Sequence, residues 1–278
     1  MHLFKIAVFG ILISFPCLIH PGCSSEKQPK IRVVGSTTIL PFMVRVSELY
    51  SGNGNAKIQV NSGGSKKGLE SLMAGKCDIA MCSSSISAGM LAQAASKGIR
   101  IKGFSFACDM IVPIVHPSNP INNLSHDHLS SIYRGTIDSW AVVGGRDTLI
   151  DVVIRTPFSG TGKIWKQVLL KSREIKGDCT IRNSNSGVLA YVAEHPEAIG
   201  YVSFAILNHE VKPISINGVA PTVENAKQGM YPISRNLYLY VDEKKFSHHM
   251  KSLIVFIFSD KGQQIAKESG FIPRDALK

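Results

Sequence analysis

Short apolar runs alternate along this chain with amphipathic, helix-spaced stretches, and most runs close on glycine, serine or threonine. Ile31–Val34 reads as a strand, Gly35–Thr38 as its turn, and Pro41–Tyr50 as a helix whose proline suits a first helical turn. Lys57–Val60 begins a second such unit, with a turn over Asn61–Gly68 and a helix over Leu69–Ala74. Asp78–Cys82 is a third strand, closed by Ser83–Ser85. Downstream come helix Ser125–Tyr133, a turn at Trp140, strand Ile150–Ile154, a Ser-Gly-Thr-Gly turn over 159–162, and a helix from Lys163. Helix Val188–Glu194 and strand Ala198–Ser203 continue the alternation. Strands and helices in this order predict α/β layers with a mainly parallel sheet.

Two longer β-rich stretches break the rhythm. Phe104–Val115 and Tyr231–Val241 are each long enough to pass from one domain into another. Two crossings imply two α/β domains joined by crossover strands. Lobe 1 is expected over 31–110 plus 238–278 and lobe 2 over 111–237. A carboxy-terminal helix, Ser247 to Phe258 and on to Ser269, is expected to pack on lobe 1. Ligands of such pairs sit in the cleft, beyond the carboxyl ends of strands.

The amino terminus reads as a targeting segment. His2 and Lys5 precede the apolar run Ile6–Ile19, which suits a signal-peptide core and is too short to span a bilayer. Residues 1–22 are expected to be the signal peptide, Cys23 a lipidation site, and 23–30 a tether, giving a periplasmic or cell-surface protein. Ordinary secretory cleavage nearby is the alternative. Cys77, Cys82, Cys108 and Cys179 remain, and their spacing neither fixes a disulfide pairing nor suggests zinc.

With 278 residues, 44% hydrophobic and 18% charged, the chain can bury a real core. Its formal net charge of +11 is spread over scattered residues, the longest runs being pairs such as Lys66-Lys67. Nucleic-acid binding needs a denser basic stripe with aromatic platforms, so no nucleic-acid partner is expected. A diffuse positive field instead favours the approach of a small anion.

The candidate chemistry lies in the turns. A strand ends at Arg155, and Ser159, Gly160 and Thr161 open the next helix. Helix N-termini carry free N–H groups and partial positive charge, hydroxyls add donors, and arginine grips two oxygens at once. Gly35–Thr38, Ser62–Ser65 and Ser83–Ser85 share the strand–turn–helix design. Serine or threonine at one helix start is usually only a cap. Three such loops facing an Arg-x-x-x-Ser-Gly-Thr loop point to a site for a tetrahedral oxyanion.

These pieces, with Gly35–Pro41, Gly64-Ser65-x-x-Gly68, Gly75-x-x-Asp78-Ile-Ala, Asn119-Pro120, Tyr133-x-Gly135 with Trp140, Pro196–Ser203, Tyr231–Arg235 and Gly270–Pro273, give the chain its likeness to a known family. From about Ile31 to Pro273 it resembles the PstS-type phosphate-binding proteins of bacterial ABC phosphate importers. The resemblance implies a two-lobed periplasmic-binding-protein fold that closes on inorganic phosphate and delivers it to a membrane ABC permease complex. It implies phosphate contacts from the hydroxyls and backbone N–H groups of Thr37 and Thr38, from Ser65, and from Arg155, Ser159, Gly160 and Thr161 of the other lobe. Ser83 and Ser84 stand where the family usually places an arginine or an acidic residue. In longer members that acidic residue accepts the proton of hydrogen phosphate and so rejects sulfate. Those members also carry an aspartate two residues after the arginine, where this chain has Pro157.

Asp78 and Asp109 are the remaining candidate proton acceptors. An acceptor left unpaired by sulfate costs about 1–3 kcal/mol, so sulfate is expected to bind at least about tenfold more weakly than phosphate. Phe42 and Phe158 read as packing residues near the cleft. No enzyme motif is complete: His126-Asp127-His128 lacks a third ligand, Gly160–Lys163 lacks P-loop spacing, and Ser159 has no base beside it. A binder without cofactor or metal, monomeric, is the expectation. Alternatives are another tetrahedral oxyanion, such as sulfate or molybdate, and an anion sensor.

Overall fold

The computed structural model describes residues 28–51 and 56–274. Cys23, the signal peptide and most of the expected tether lie outside these residues. Lys30, the tether's last residue, already belongs to the first strand and pairs with Lys57.

The first half of the chain builds β1 (Lys30–Gly35), α1 (Leu40–Ser51), β2 (Lys57–Ser62), α2 (Ser65–Met73), β3 (Ile79–Cys82) and α3 (Ala88–Ser96). β1 pairs in parallel with both β2 and β3. The long strand β4 (Ile101–Val115) then leads through β5 (Asn123–Leu124) and α4 (His126–Arg134) to β6 (Asp151–Arg155), α5 (Gly160–Leu170), β7 (Thr180–Arg182), α6 (Asn185–Glu194) and β8 (Ala198–Ser203). β6 pairs in parallel with β7 and β8. Short β9 (Lys212–Pro213), β10 (Ser215–Ile216) and α7 (Val223–Lys227) precede the return strand β11 (Ser234–Asp242). Helices α8 (His248–Phe258) and α9 (Asp260–Glu268) and strand β12 (Ile272–Pro273) complete the chain.

β4 makes the connection predicted for it, while β11 pairs along its whole length with β3 and the first part of β4 rather than changing partners. β4 pairs antiparallel with β11 from Ile101 to Met110, then antiparallel with β8 from Ile111 to Val115. One ladder thus runs β2-β1-β3-β11-β4-β8-β6-β7, with parallel units on both sides of an antiparallel centre. Two large apolar cores flank it, with a smaller third around Leu69, Leu72 and Tyr240. Phe42, Met43, Met81, Phe106 and Leu253 belong to one, and Tyr133, Trp140, Trp165, Val188 and Tyr201 to the other. Phe42 is fully buried and stacks on Phe106 with ring centroids 4.8 Å apart, a packing residue as expected.

The single carboxy-terminal helix of the sequence reading is two helices. Ser259 adopts an extended ψ of 164° and caps α9 by accepting from the Gly262 N–H. A serine hydroxyl that captures a free N–H starts a new helix rather than continuing the old one. The helix expected from Lys163 starts earlier, at Gly160, because Ser159 caps it in the same way. Cys77, Cys82 and Cys108 are buried thiols and Cys179 is half-buried, none of them in a disulfide. Among the described residues no helix is long and apolar enough to cross a membrane, and no three His, Cys, Asp or Glu side chains group as metal ligands.

Candidate functional site

β1, β3 and β6 all end facing the same cleft, so their turns converge from two lobes. Arg155, the last residue of β6, is buried, with its N–H donating to the Tyr201 hydroxyl. Its Nη1 donates to Asn185 Oδ1 at 2.6 Å and its Nη2 to Asn183 O at 3.0 Å. The same Nη2 reaches across the cleft to Thr37 Oγ1 at 3.1 Å. Nε is buried with no partner, a donor still to be used. Pro157 supplies no carboxylate, and the neutral oxygens of Asn183 and Asn185 orient the guanidinium instead. Its charge is therefore left for a ligand. Burial lowers the Arg155 pKa to about 10, so the group is charged at neutral pH.

Thr38, Thr161 and Ser65 are buried with it. Thr38 Oγ1 lies 3.3 Å from Thr161 Oγ1, joining the turn after β1 to the first turn of α5. Asn185 Nδ2 donates to Thr38 Oγ1 at 2.9 Å. Ser65 is the first residue of α2 but does not cap it, since Gly64 holds the cap position, so its hydroxyl is available to the cleft. Ser65 Oγ accepts from the Ser83 N–H at 3.1 Å and lies 3.4 Å from Ser83 Oγ. Gly160 fits between them: a Cβ there would come within 2.5 Å of Ser65 Oγ and 2.6 Å of Ser83 Oγ. Gly64, at φ +91°, likewise admits the Phe158 carbonyl, and a Cβ on it would stand 2.6 Å from that oxygen.

The expected residues are thus brought together with some differences. The Thr38 N–H is already used by Ser36 Oγ, leaving the hydroxyl as its contact group. Ser159 is an N-cap whose oxygen accepts from the Gly162 N–H, so its proton and one lone pair remain. Ser84 is buried and lines the mouth with Pro157 and Phe158. Phe158 is 48% exposed there with Lys66 over its ring, because its carbonyl, not its ring, faces the other lobe. Asp78 is no part of the site. It immediately precedes β3, at the end away from the Ser83–Ser85 turn, pairs with Arg32 at 2.8 Å, and is held below the usual carboxylate range although burial pushes the other way.

Arg235 and Asn185 were not singled out as site residues from the sequence. Arg235 sits on β11 opposite Asp109 of β4, and the two form a buried ion pair through Nε at 3.1 Å and Nη2 at 2.7 Å. Asp109 is therefore committed to Arg235; burial raises its pKa and the guanidinium opposes that rise. The rest of Arg235 points at the jaws. Nη1 donates to Thr161 Oγ1 at 2.7 Å and to Ser83 O at 3.3 Å, and Nη2 to Thr38 Oγ1 at 3.4 Å. The signal in the sequence was the arginine placed on a crossing strand; what it touches depends on register. The site has two guanidinium groups, one carboxylate tied to the second of them, and hydroxyls from both lobes.

Residues 23–261 match the model of the PBP superfamily domain. A phosphate-binding protein PstS of Bacillus subtilis is 30% identical over 259 residues, covering 89% of this chain and 82% of that protein. The chain belongs to the PstS-type family. A phosphate-binding protein PstS of Borreliella burgdorferi is 27% identical over 96% of this chain and 98% of its own length. Among solved structures, a substrate-binding protein with bound phosphate from Clostridium perfringens superposes with a TM-score of 0.83 at 29% identity, over 88% of this chain and 99% of that one. An ABC-type phosphate transport receptor from Vibrio cholerae gives 0.73 at 27% identity, with the same coverages. The fold is the two-lobed periplasmic-binding-protein fold, and the family is one of substrate-binding transport proteins rather than enzymes.

Proposed function

We propose that this protein binds inorganic phosphate between its lobes and delivers it to a membrane ABC permease. The observation that carries this reading is the convergence of Arg155 and Arg235 on Thr37 and Thr38 of one lobe and Thr161 of the other, with the buried Arg155 Nε unpartnered. Two buried cations beside hydroxyl donors suit a doubly charged tetrahedral anion. The ligand set is Thr37, Thr38, Ser65, Ser83, Ser84, Arg155, Ser159, Gly160 and Thr161, with Arg235 and Asn185 behind them. Residues 31–110 with 238–278 form lobe 1 and 111–237 form lobe 2; the first boundary is supported by β4 changing partners between Met110 and Ile111, whereas Ser234–Leu237 pair with the lobe 1 part of β4. An anion bound to both lobes favours the closed form through its differential affinity. The protein acts exported and monomeric, anchored through an acylated Cys23, and catalyses no reaction. In a thermal-shift titration phosphate should raise the melting temperature with concentration. Arg155→Ala should abolish most of that shift; a retained shift would refute the site.

A further inference from the structure

The positive charge of this chain is scattered in sequence but gathered in space. Residues 111–237 hold twelve basic and ten acidic residues, whereas 31–110 with 238–278 hold sixteen against nine. Most of that excess stands at one end of lobe 1. β2, β1, β3, β11 and β4 lie side by side there, with β1 to β4 starting and β11 finishing at the same end. Each of the five strand ends brings an exposed lysine. Lys57 and Lys30 open β2 and β1 as register partners, Lys76 precedes β3, Lys245 follows β11, and Lys102 is the second residue of β4. At about 4.8 Å between strands, five ends make a row about 19 Å wide. Exposed Lys97 and Arg100, on the turn that enters β4, extend it.

Carboxylates leave this row largely unbalanced. Glu243 is shared between Arg100 at 2.8 Å and Lys102 at 3.7 Å, Asp78 is taken by Arg32, and Asp242 is buried, accepting from the Arg100 and Lys244 N–H groups. Among the described residues no ion pair reaches Lys30, Lys57, Lys76, Lys97 or Lys245. Phe104 and Phe246 are half-buried, with Lys102 and Lys251 over their rings, so the face offers no stacking platform for nucleic-acid bases. The anion site lies at the other, carboxyl ends of β1 and β3. The chain enters the fold at Lys30, on the basic end itself, seven residues after Cys23, a distance of at most about 25 Å.

We propose that this end of lobe 1 is a docking surface for anionic phospholipid headgroups, which holds the tethered protein against its membrane and leaves the anion cleft uncovered. The acylated Cys23 of the proposed function brings the face to the bilayer; the face itself depends on neither that lipid nor the anion site. A single acyl chain holds reversibly, and a basic patch beside it supplies a second attachment. Each lysine held near an anionic bilayer is worth about fivefold in affinity.

Sedimentation with vesicles tests this, using the chain from Ser24 onward, which keeps every described residue and carries no lipid. At low salt it should bind vesicles of equal phosphatidylglycerol and phosphatidylcholine at least about tenfold more tightly than phosphatidylcholine alone, and about 0.5 M salt should remove the binding. Lys57→Gln, Lys76→Gln, Lys97→Gln and Lys245→Gln together should weaken it at least about thirtyfold, while phosphate affinity stays within about twofold of the parent. The same charge removed elsewhere, by Lys171→Gln, Lys227→Gln, Lys261→Gln and Lys267→Gln, should cost less than about threefold. Equal losses from the two sets, or equal binding to neutral vesicles, would overturn the inference. Duplex DNA bound as tightly as anionic vesicles at matched charge would mark a surface for any polyanion and would overturn it too. Failure of phosphate to bind would strike the anion site, and the vesicle results would still decide this surface.

Discussion

Gly160→Ala isolates lobe closure from lobe stability. Gly160 opens α5, and its backbone lies outside the left-handed region, so alanine fits the helix and gains up to about 1 kcal/mol of helix propensity. The conflict arises only against the other lobe. The new methyl would stand 2.5 Å from Ser65 Oγ, 2.6 Å from Ser83 Oγ and 3.1 Å from the Ser83 carbonyl carbon. The two hydroxyl contacts fall about 0.8–0.9 Å short of ordinary van der Waals distance. Ser65 Oγ is held in place by the Ser83 N–H and cannot turn aside without losing that bond, so the jaws open by about that shortfall instead. Opening by that amount lengthens the Arg155–Thr37 and Asn185–Thr38 bonds, now 3.1 and 2.9 Å, beyond hydrogen-bond range. Losing two such bonds costs about 2–4 kcal/mol, or roughly 30- to 1000-fold in phosphate affinity. Calorimetry should show that loss, while the ligand-free melting temperature stays level or rises slightly. Affinity within about threefold of the parent, or a ligand-free melting temperature several degrees lower, would refute the reasoning.

Two further outcomes concern stability. Asp78→Asn removes the half-exposed pair with Arg32 and should cost at most about 1 kcal/mol near neutral pH. The folded-state pKa of Asp78 is depressed, so its contribution is present above the unfolded-state value of about 4 and is lost as pH falls through the lower folded value. Melting curves of the variant and the parent should therefore converge in acid; a gap that widens there would contradict the assignment. Trp140 Nε1 donates to the Glu197 carbonyl, whereas the equally buried Trp165 Nε1 has no acceptor. Urea denaturation should find Trp165→Phe milder than Trp140→Phe by about 1–2 kcal/mol, because only the second leaves a polar group without its bond. Equal costs would show that packing alone governs both.

Much of the fold was legible because its signals are local. The turns after β1, β2, β3 and β6 announced themselves as glycine and hydroxyl residues between an apolar run and a helical period. Helix starts were misplaced at Ser159, which moved α5 forward to Gly160, and at Ser259, which split the last helix, where a serine cap decided them, and at α2, which opens at Ser65 rather than Leu69 with no side-chain cap. A cap depends on one hydrogen bond, which periodicity does not register. The residues proposed to hold phosphate, Thr37, Thr38, Ser65, Arg155 and Thr161, drew notice for the same local reason, as strand ends and first helical turns.

The second cation was not legible, nor was the fate of the candidate proton acceptors. Arg235 and Asp109 are 126 residues apart, and only the antiparallel register of β4 with β11 sets them opposite each other. Asp78 looked equivalent to Asp109 in the sequence, yet it lies at the opposite end of its strand, beside Arg32. The sequence by itself determined that this chain is an α/β protein with an oxyanion site built from helix starts and an arginine, because those features are properties of neighbouring residues. Tertiary structure alone decided which groups meet there, because Arg235 and Asn185 reach the threonine hydroxyls from a strand and a helix far away in the chain.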